Sequence, residues 1–148
     1  MKMAVRPSSR FSYALRALVD LALHQASGPV TVAAVARRQG IPVRTLEQLL
    51  NRLRRAGLVD AERGPRGGYQ LRQLPKQIPI RRVFELFEPA AKLHKKADGR
   101  GHDPAQQIWQ QVQKAVQTAL EAATLETLTA QAAEEAAAPM SHRFTFHI

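Results

Sequence analysis

At 148 residues the chain is long enough for one domain with its own core plus an appendage, and aromatic residues at 5% leave that core mostly to Leu, Val, Ile and Ala. The formal net charge of +10 is unevenly placed: all but two of the 22 Lys and Arg side chains lie in residues 1–100, while residues 101–148 carry a small acidic excess. That asymmetry points to a polyanionic partner for the first part, and the absence of cysteine excludes disulfides and any thiolate-held metal or cluster.

The opening MKMAVRPSSR has no apolar run of the kind a signal peptide needs, and the apolar stretch 14–23 is broken by Arg16 and Asp20. No membrane partner and a cytoplasmic location are therefore expected; no basic amphipathic helix carries the Trp, Phe or Leu face that insertion requires. Ser9 is a reasonable N-cap for a first helix running to about Gln25, with Phe11, Leu15, Leu18, Leu21 and Ala22 spaced to face a core. Ser8, Ser9 and Arg10 stand at its start, where backbone N–H groups and a cation suit a phosphate. A plain capping role for Ser9 is the alternative, and the two are compatible.

Residues 31–39 (TVAAVARRQ) read as a short helix capped by Thr31, with Val32 and Val35 inward and Gly40 closing it. Pro42 opens the next helix, so Gly40, Ile41 and Pro42 make a tight turn with Ile41 as its buried corner, the sequence shape of a helix-turn-helix. In residues 42–55 (PVRTLEQLLNRLRR), at about 100° per residue, Leu46, Leu49, Leu50 and Leu53 fall in one apolar arc. Arg44, Gln48, Asn51 and Arg55 form a narrow stripe opposite it. These are the side-chain types that reach nucleic acid: Arg pairs with guanine or phosphate, Gln and Asn with adenine, and the nearby Glu47 can accept from cytosine. Taken alone, a charged stripe is commonly an ordinary solvated face. Here it is followed by strand-like residues 58–62 and 69–72 flanking Arg63, Gly64, Pro65, Arg66, Gly67 and Gly68, a β-hairpin with a basic tip.

Residues 79–88 (PIRRVFELFE) form a helix with proline in the first turn and Pro89 as its stop. Val83, Phe84 and Phe87 are assigned to the core, Arg81 and Arg82 to solvent or a phosphate. Residues 90–103 are polar, basic and glycine-containing without a useful period, and read as a mobile loop. A long helix follows over residues 105–123, with Pro104 in its first turn and Asp103 as cap. Along it Ile108, Val112, Ala115, Val116, Ala119, Leu120 and Ala123 recur at helical steps as a seam about 28 Å long. A helix so isolated needs a partner, and its small residues allow close approach of a second copy; packing back on its own chain is the alternative. Residues 124–133 look like a helical restart, residues 134–139 are Ala-rich and either helical or loose, and residues 142–148 (HRFTFHI) alternate as a strand does and should dock on something.

Three runs, YALRALVDLALHQ at 13–25, LEQLLNRLRRAGLV at 46–59 and RGPRGGYQL at 63–71, together resemble the Rrf-two family of bacterial winged-helix regulators, which includes the IscR-type iron–sulfur regulators. LEQL followed by RGPxGGY is a specific pairing, and the likeness runs in register through the first ninety or so residues. It implies a mainly α fold: a winged helix-turn-helix DNA-binding domain with a small β-hairpin wing over residues 1–89, a loop at 90–103 in the place of the family's cluster-binding loop, and a long dimerisation helix with its tail at 104–148. It also implies a homodimer that sets two copies of the 42–55 helix in successive major grooves of double-stranded DNA at a near-palindromic operator, as a sequence-specific transcriptional regulator, with repression expected. Carried over position by position, base reading falls on Glu47 and Gln48, with Arg44 and Thr45 just before them, and the wing arginine falls on Arg63. A phosphate contact falls on Ser9 and Arg10. Arg66 stands where relatives usually have glycine, an extra cation for the minor groove or a phosphate. Dimerisation falls on the seam from Ile108 to Leu120.

Many relatives carry three cysteines in the loop before the long helix and, with a fourth ligand, hold an iron–sulfur cluster. Matching Ile108 and Trp109 to the family's Leu-Trp puts Ala91, Ala97 and Asp103 near the cysteine positions and Gln106 near the fourth ligand, so a cluster held in that manner is excluded chemically. His94, Asp98, His102 and Asp103 remain as a candidate histidine–carboxylate site, but their irregular spacing and neighbouring lysines argue against it, and no metal or cofactor is expected. The protein then either senses an unidentified small non-metallic effector between loop and core or represses constitutively. An enzyme is disfavoured: no nucleophile elbow, phosphate-cradling glycine loop or HExxH occurs. The rival is a non-specific RNA- or nucleoid-binding protein, which charge alone would serve equally well. Glu47 and Gln48 weigh against it, because a carboxylate facing DNA lowers non-specific affinity and makes sense only if it selects a base.

Overall fold

Leu- and Ala-rich stretches punctuated by Gly- and Pro-bearing turns become six α-helices and one hairpin in the computed structural model, which describes residues 6–88 and 103–138. In chain order these are α1 (Ser9–His24), α2 (Val32–Gln39), α3 (Val43–Arg55), β1 (Val59–Glu62), β2 (Gly68–Leu71), α4 (Ile80–Phe87), α5 (Pro104–Ala122) and α6 (Leu125–Ala137). The architecture is a mainly helical winged helix-turn-helix with a long helix appended. Helix α1 is its centre: Ala14, Ala17, Leu18 and Leu21 are fully buried among Val35 of α2, the four leucines of α3, Val83 and Phe87 of α4, and Leu125 of α6. Phe11 and Phe84 close one end with an edge-to-face contact, their centroids 5.5 Å apart. Phe84 thus sits half-buried at the rim of the core rather than inside it.

Local chemistry sets the helix boundaries. The α1 cap is Ser8, not Ser9: the Ser8 Oγ accepts from the Phe11 N–H at 3.2 Å, while the Ser8 N–H donates to Glu88 Oε1 at 2.7 Å. A carboxylate at the far end of α4 therefore fixes Ser8 outside the helix, and Ser9 becomes its first residue. Thr31 caps α2 through the Ala34 N–H at 3.2 Å, and Gly40 ends it in the left-handed region at φ 63°, where a Cβ would be strained. The Ile41 N–H returns to the Ala36 carbonyl, and Ile41 is buried at the corner.

The hairpin is antiparallel, with Val59 opposite Leu71 and Glu62 opposite Gly68. Val30, in the α1–α2 connection, adds a bridge to it: its N–H donates to Tyr69 O at 2.8 Å and the Tyr69 N–H donates back at 2.7 Å. Gln25 Oε1 accepts from the Leu71 N–H at 2.8 Å. The base of the wing is thereby tied to the same connection that delivers α2.

Asp103 caps α5 by accepting from the Ala105 N–H at 3.0 Å, with Pro104 in the first turn. No residue of α5 is buried, yet its far end is joined to α4: Arg81 reaches Glu121, and backbone bonds run from Ile80 N–H to Ala123 O and from Leu125 N–H to Ile78 O, both at 2.9 Å. The restart after α5 is a full helix that extends through Ala137 and lies against α1, anchored by Leu125. Arg81 and Arg82, expected in solvent or on a phosphate, are half-buried and also have partners on their own chain. Arg81 pairs with Glu85 at 2.7 Å and with Glu121, and Arg82 donates to Gln73 Oε1 and to the Ala56 carbonyl, each at 3.0 Å. The expected loop at 90–102 and the strand-like 142–148 lie outside the described residues. No described helix is long and apolar enough to cross a membrane.

Candidate nucleic-acid interface

Because Leu46, Leu49, Leu50 and Leu53 bury one side of α3, the opposite stripe is turned outward. Arg44, Glu47, Gln48 and Arg55 are exposed, and Thr45 and Asn51 are half-buried beside them. Among the described residues no hydrogen bond or ion pair engages the side chains of Arg44, Glu47, Gln48 or Arg55. Asn51 differs: its Oδ1 accepts from Arg54 Nη2 at 3.1 Å, so its amide oxygen is already committed.

The first strand of the hairpin packs against this helix, and the wing tip leaves Arg63, Gly64, Pro65 and Arg66 all exposed. Its tightness is set by backbone approach. The Gly67 N–H donates to Gly64 O at 2.9 Å, and a Cβ on Gly67 would lie 2.3 Å from Glu62 O. At the start of α1, Ser9 and Arg10 are exposed, whereas both the hydroxyl and the N–H of Ser8 are engaged within the fold. The structure thus brings α3 and the wing together on a well-braced frame, and leaves two of the three candidate phosphate-holding residues of α1 open.

The bracing rests on a side chain that periodicity treated only as an interruption. Asp20 is fully buried, and its carboxylate accepts from Arg38 Nη2 at 2.6 Å, Arg38 Nε at 2.9 Å and Gln39 Nε2 at 2.9 Å. Arg16, one turn earlier on α1, donates to Gln39 Oε1 and to the Gln39 carbonyl. The last turn of α2 is therefore clasped to α1 immediately before the Gly40 turn, which fixes where α3 begins. Burial works against ionisation of Asp20, but the hydrogen bonds from Arg38 and Gln39, with the charges of Arg38 and His24, outweigh it and hold the carboxyl below its ordinary value. The hydrogen bond to Asp20 correspondingly holds Arg38 above its usual value. At the other end of α3, Arg82 takes the Ala56 carbonyl and the Arg52 guanidinium lies 5.4 Å from the centroid of the Phe87 ring. An acidic residue on an otherwise apolar helix face was the available signal for the clasp; its partners, 18 and 19 residues on, were not marked by any local pattern.

The candidate dimerisation seam divides. Ile108, Val112, Ala115, Val116 and Ala119 are exposed, while Leu120 is half-buried on the side of α5 that meets its own chain. Trp109, at 60% exposure, joins the open face and was not assigned to it from the sequence.

Residues 7–131 match the Rrf2 family model, described as an iron-dependent transcriptional regulator. The HTH-type transcriptional regulator IscR of Photobacterium profundum is 44% identical over 100 residues, covering 66% of this chain and 58% of that protein. IscR of Aliivibrio salmonicida is 42% identical over 97 residues, covering 64% and 58% respectively. The chain thus spans somewhat over half the length of the curated relatives it matches. Among solved structures, T. potens IscR superposes with a TM-score of 0.77 at 30% identity, covering 96% of this chain and 98% of that one. CymR, the global cysteine regulator of B. subtilis, gives 0.75 at 29% identity, covering 86% and 98%. These relatives and neighbours are transcriptional regulators, not enzymes.

The residues present do not fit an iron–sulfur cluster. The chain has no cysteine, and cluster iron is held chiefly by thiolates. Among the described residues no three His, Asp or Glu side chains gather as a metal site, and the Asp103 carboxylate is committed to capping α5.

Proposed function

The chain belongs to the Rrf2 family, and from that premise we propose that it is a sequence-specific DNA-binding transcriptional regulator acting as a homodimer. The observation that carries this reading is the combination of uncommitted Arg44, Glu47 and Gln48 on α3 with the exposed Arg63 and Arg66 of the wing, on a frame that clasps α2 to α1 just before α3 and ties Ala56, just after it, to Arg82. Arginines at the wing and the start of α1 hold phosphates or a minor groove and set the register; Gln48 and Glu47 reach base edges in the major groove and choose the sequence.

Dimerisation supplies the second reading helix. The open face of α5 exposes Ile108, Val112 and Val116 at 60%, 43% and 37%, flanked by Ala115 and Ala119, whose small side chains let another helix approach closely. A second copy of α5 covers that face, and the pair places two α3 helices about 34 Å apart on a near-palindromic operator. Repression is the sign taken here, since a dimer seated across an operator is enough to exclude polymerase. Any signal it answers is not carried by a thiolate-held cluster.

The test is a selection of bound duplexes from random DNA with the full chain, together with sedimentation of the free protein. A two-fold symmetric consensus and a dimer support the reading; binding that ignores base order supports a non-specific nucleic-acid-binding protein instead.

A further inference from the structure

Val43 is the apolar side chain of α3 that the fold does not use. Leu46, Leu50 and Leu53 are fully buried and Leu49 is 4% exposed, whereas Val43 stands 48% exposed at the first helical position. Pro42 precedes it with φ −56°, a backbone the ring locks, and a β-branched side chain in a helix keeps essentially one rotamer. The isopropyl group is therefore presented rigidly and loses little entropy on contact. It also stands at the end of the helix that enters the groove, since the N-terminal residues of a recognition helix are the ones that approach base edges. One turn on, Glu47 lies on the same flank.

The apolar feature of a base edge in the major groove is the C5 methyl of thymine, and the group there that best satisfies a carboxylate is the amino group of cytosine. Both are pyrimidine edges. Side chains four residues apart on a helix have Cβ atoms about 5–6 Å apart, and successive bases of one strand rise about 3.4 Å, so a flank carrying Val43 and Glu47 spans one to two base steps. We propose that Val43 is a specificity-determining residue that packs on a thymine methyl within two steps of the base read by Glu47. This rests on the DNA-reading function proposed above and names part of the sequence it selects.

The test uses the duplex recovered from random DNA and the full chain. Thymines are replaced one at a time by deoxyuridine, which keeps every base pair and removes only the methyl. One thymine in each half-site is expected to cost about three- to fivefold in Kd, the scale of one buried methyl. Val43→Ala should bind the unmodified duplex weaker by a similar factor and no longer distinguish uracil from thymine at that position, with an unchanged unfolding midpoint because the side chain is exposed. The proposal is overturned if no thymine is sensitive, or if Val43→Ala keeps the full sensitivity. Failure to recover any consensus overturns the regulator reading itself; a consensus without a methyl-sensitive thymine overturns only the role of Val43.

Discussion

The buried carboxylate of Asp20 and the guanidinium of Arg38 meet as a two-pronged pair, Oδ1 to Nη2 at 2.6 Å and Oδ2 to Nε at 2.9 Å, across the contact between α1 and α2. The pair is lopsided: Asp20 has no exposure, while the Arg38 side chain keeps 32%. Removing Arg38 leaves a buried charge held by Gln39 and by His24, whose Nδ1 lies 3.6 Å from Oδ1, whereas removing Asp20 leaves a cation that can reach water. Arg38→Ala is therefore expected to cost about 3 kcal/mol and Asp20→Ala about 2 kcal/mol. Urea unfolding of the two variants decides it, and equal losses would show that the solvent access of Arg38 is immaterial.

The same pair gives the stability a pH dependence of known sign. The folded pKa of Asp20 is depressed relative to the free carboxyl, so its contribution is fully present above the unfolded value of about 3.9 and drains away as pH falls through the folded value. The stability difference between the wild type and Asp20→Asn should then be present at about pH 5 and shrink below about pH 4. A difference that grew on acidification would contradict the assignment.

Two glycines are expected to respond differently to alanine. At Gly68 a Cβ would lie 2.4 Å from Val30 O, so Gly68→Ala must push apart the Val30 bridge that anchors the wing. At Gly40 the space is open and only the left-handed backbone is strained, at roughly 1 kcal/mol. Hydrogen exchange should show the amides of Val30 and Tyr69 losing protection in the Gly68 variant and keeping it in the Gly40 variant.

What the sequence disclosed follows from range. Thr31, Gly40, Pro42 and the leucines of α3 act within a turn or two of themselves, so caps, turn and the outward face of α3 are legible from spacing. The misplacements are residues whose conformation is decided from afar. Ser8 and Ser9 are interchangeable as local caps, and the choice is made by Glu88, 80 residues on. Arg81 and Arg82 look like a solvated pair until Glu121 and the Ala56 carbonyl are brought to them. Asp20 reads as a flaw in an apolar run because its partners sit on another helix. On the candidate interface, side-chain type is readable but commitment is not: Asn51 belongs to the outward stripe by spacing, yet Arg54 already holds its oxygen.

The open face of α5 yields a separation of assembly from folding. Val112 is 43% exposed and no residue of α5 is buried, so Val112→Glu should leave the winged-helix core intact. In the proposed dimer a carboxylate would face its own copy across a desolvated seam, which is strongly unfavourable, and the variant is expected to sediment as a monomer at concentrations where the wild type is expected to dimerise. Unchanged helicity with halved mass supports the seam; an unaltered dimer places the interface elsewhere.

Arg63 and Gln48 are expected to fail in different ways, because the proposed interface has one carry charge to the backbone or minor groove and the other carry hydrogen-bond pattern to a base. Both side chains are exposed and unengaged among the described residues, so neither replacement disturbs the fold. Arg63→Ala should weaken binding by more than about tenfold on the selected duplex and lower the salt dependence by roughly one counterion. Gln48→Ala should lose about 1–3 kcal/mol on the selected duplex while leaving affinity for random duplex unchanged, so that sequence choice relaxes at one position. Titrations of both variants against both duplexes at two salt concentrations separate the cases. Equal loss on selected and random DNA for Gln48→Ala would make it a positioning contact, and base selection would then have to rest on Glu47 and its neighbours at the start of α3.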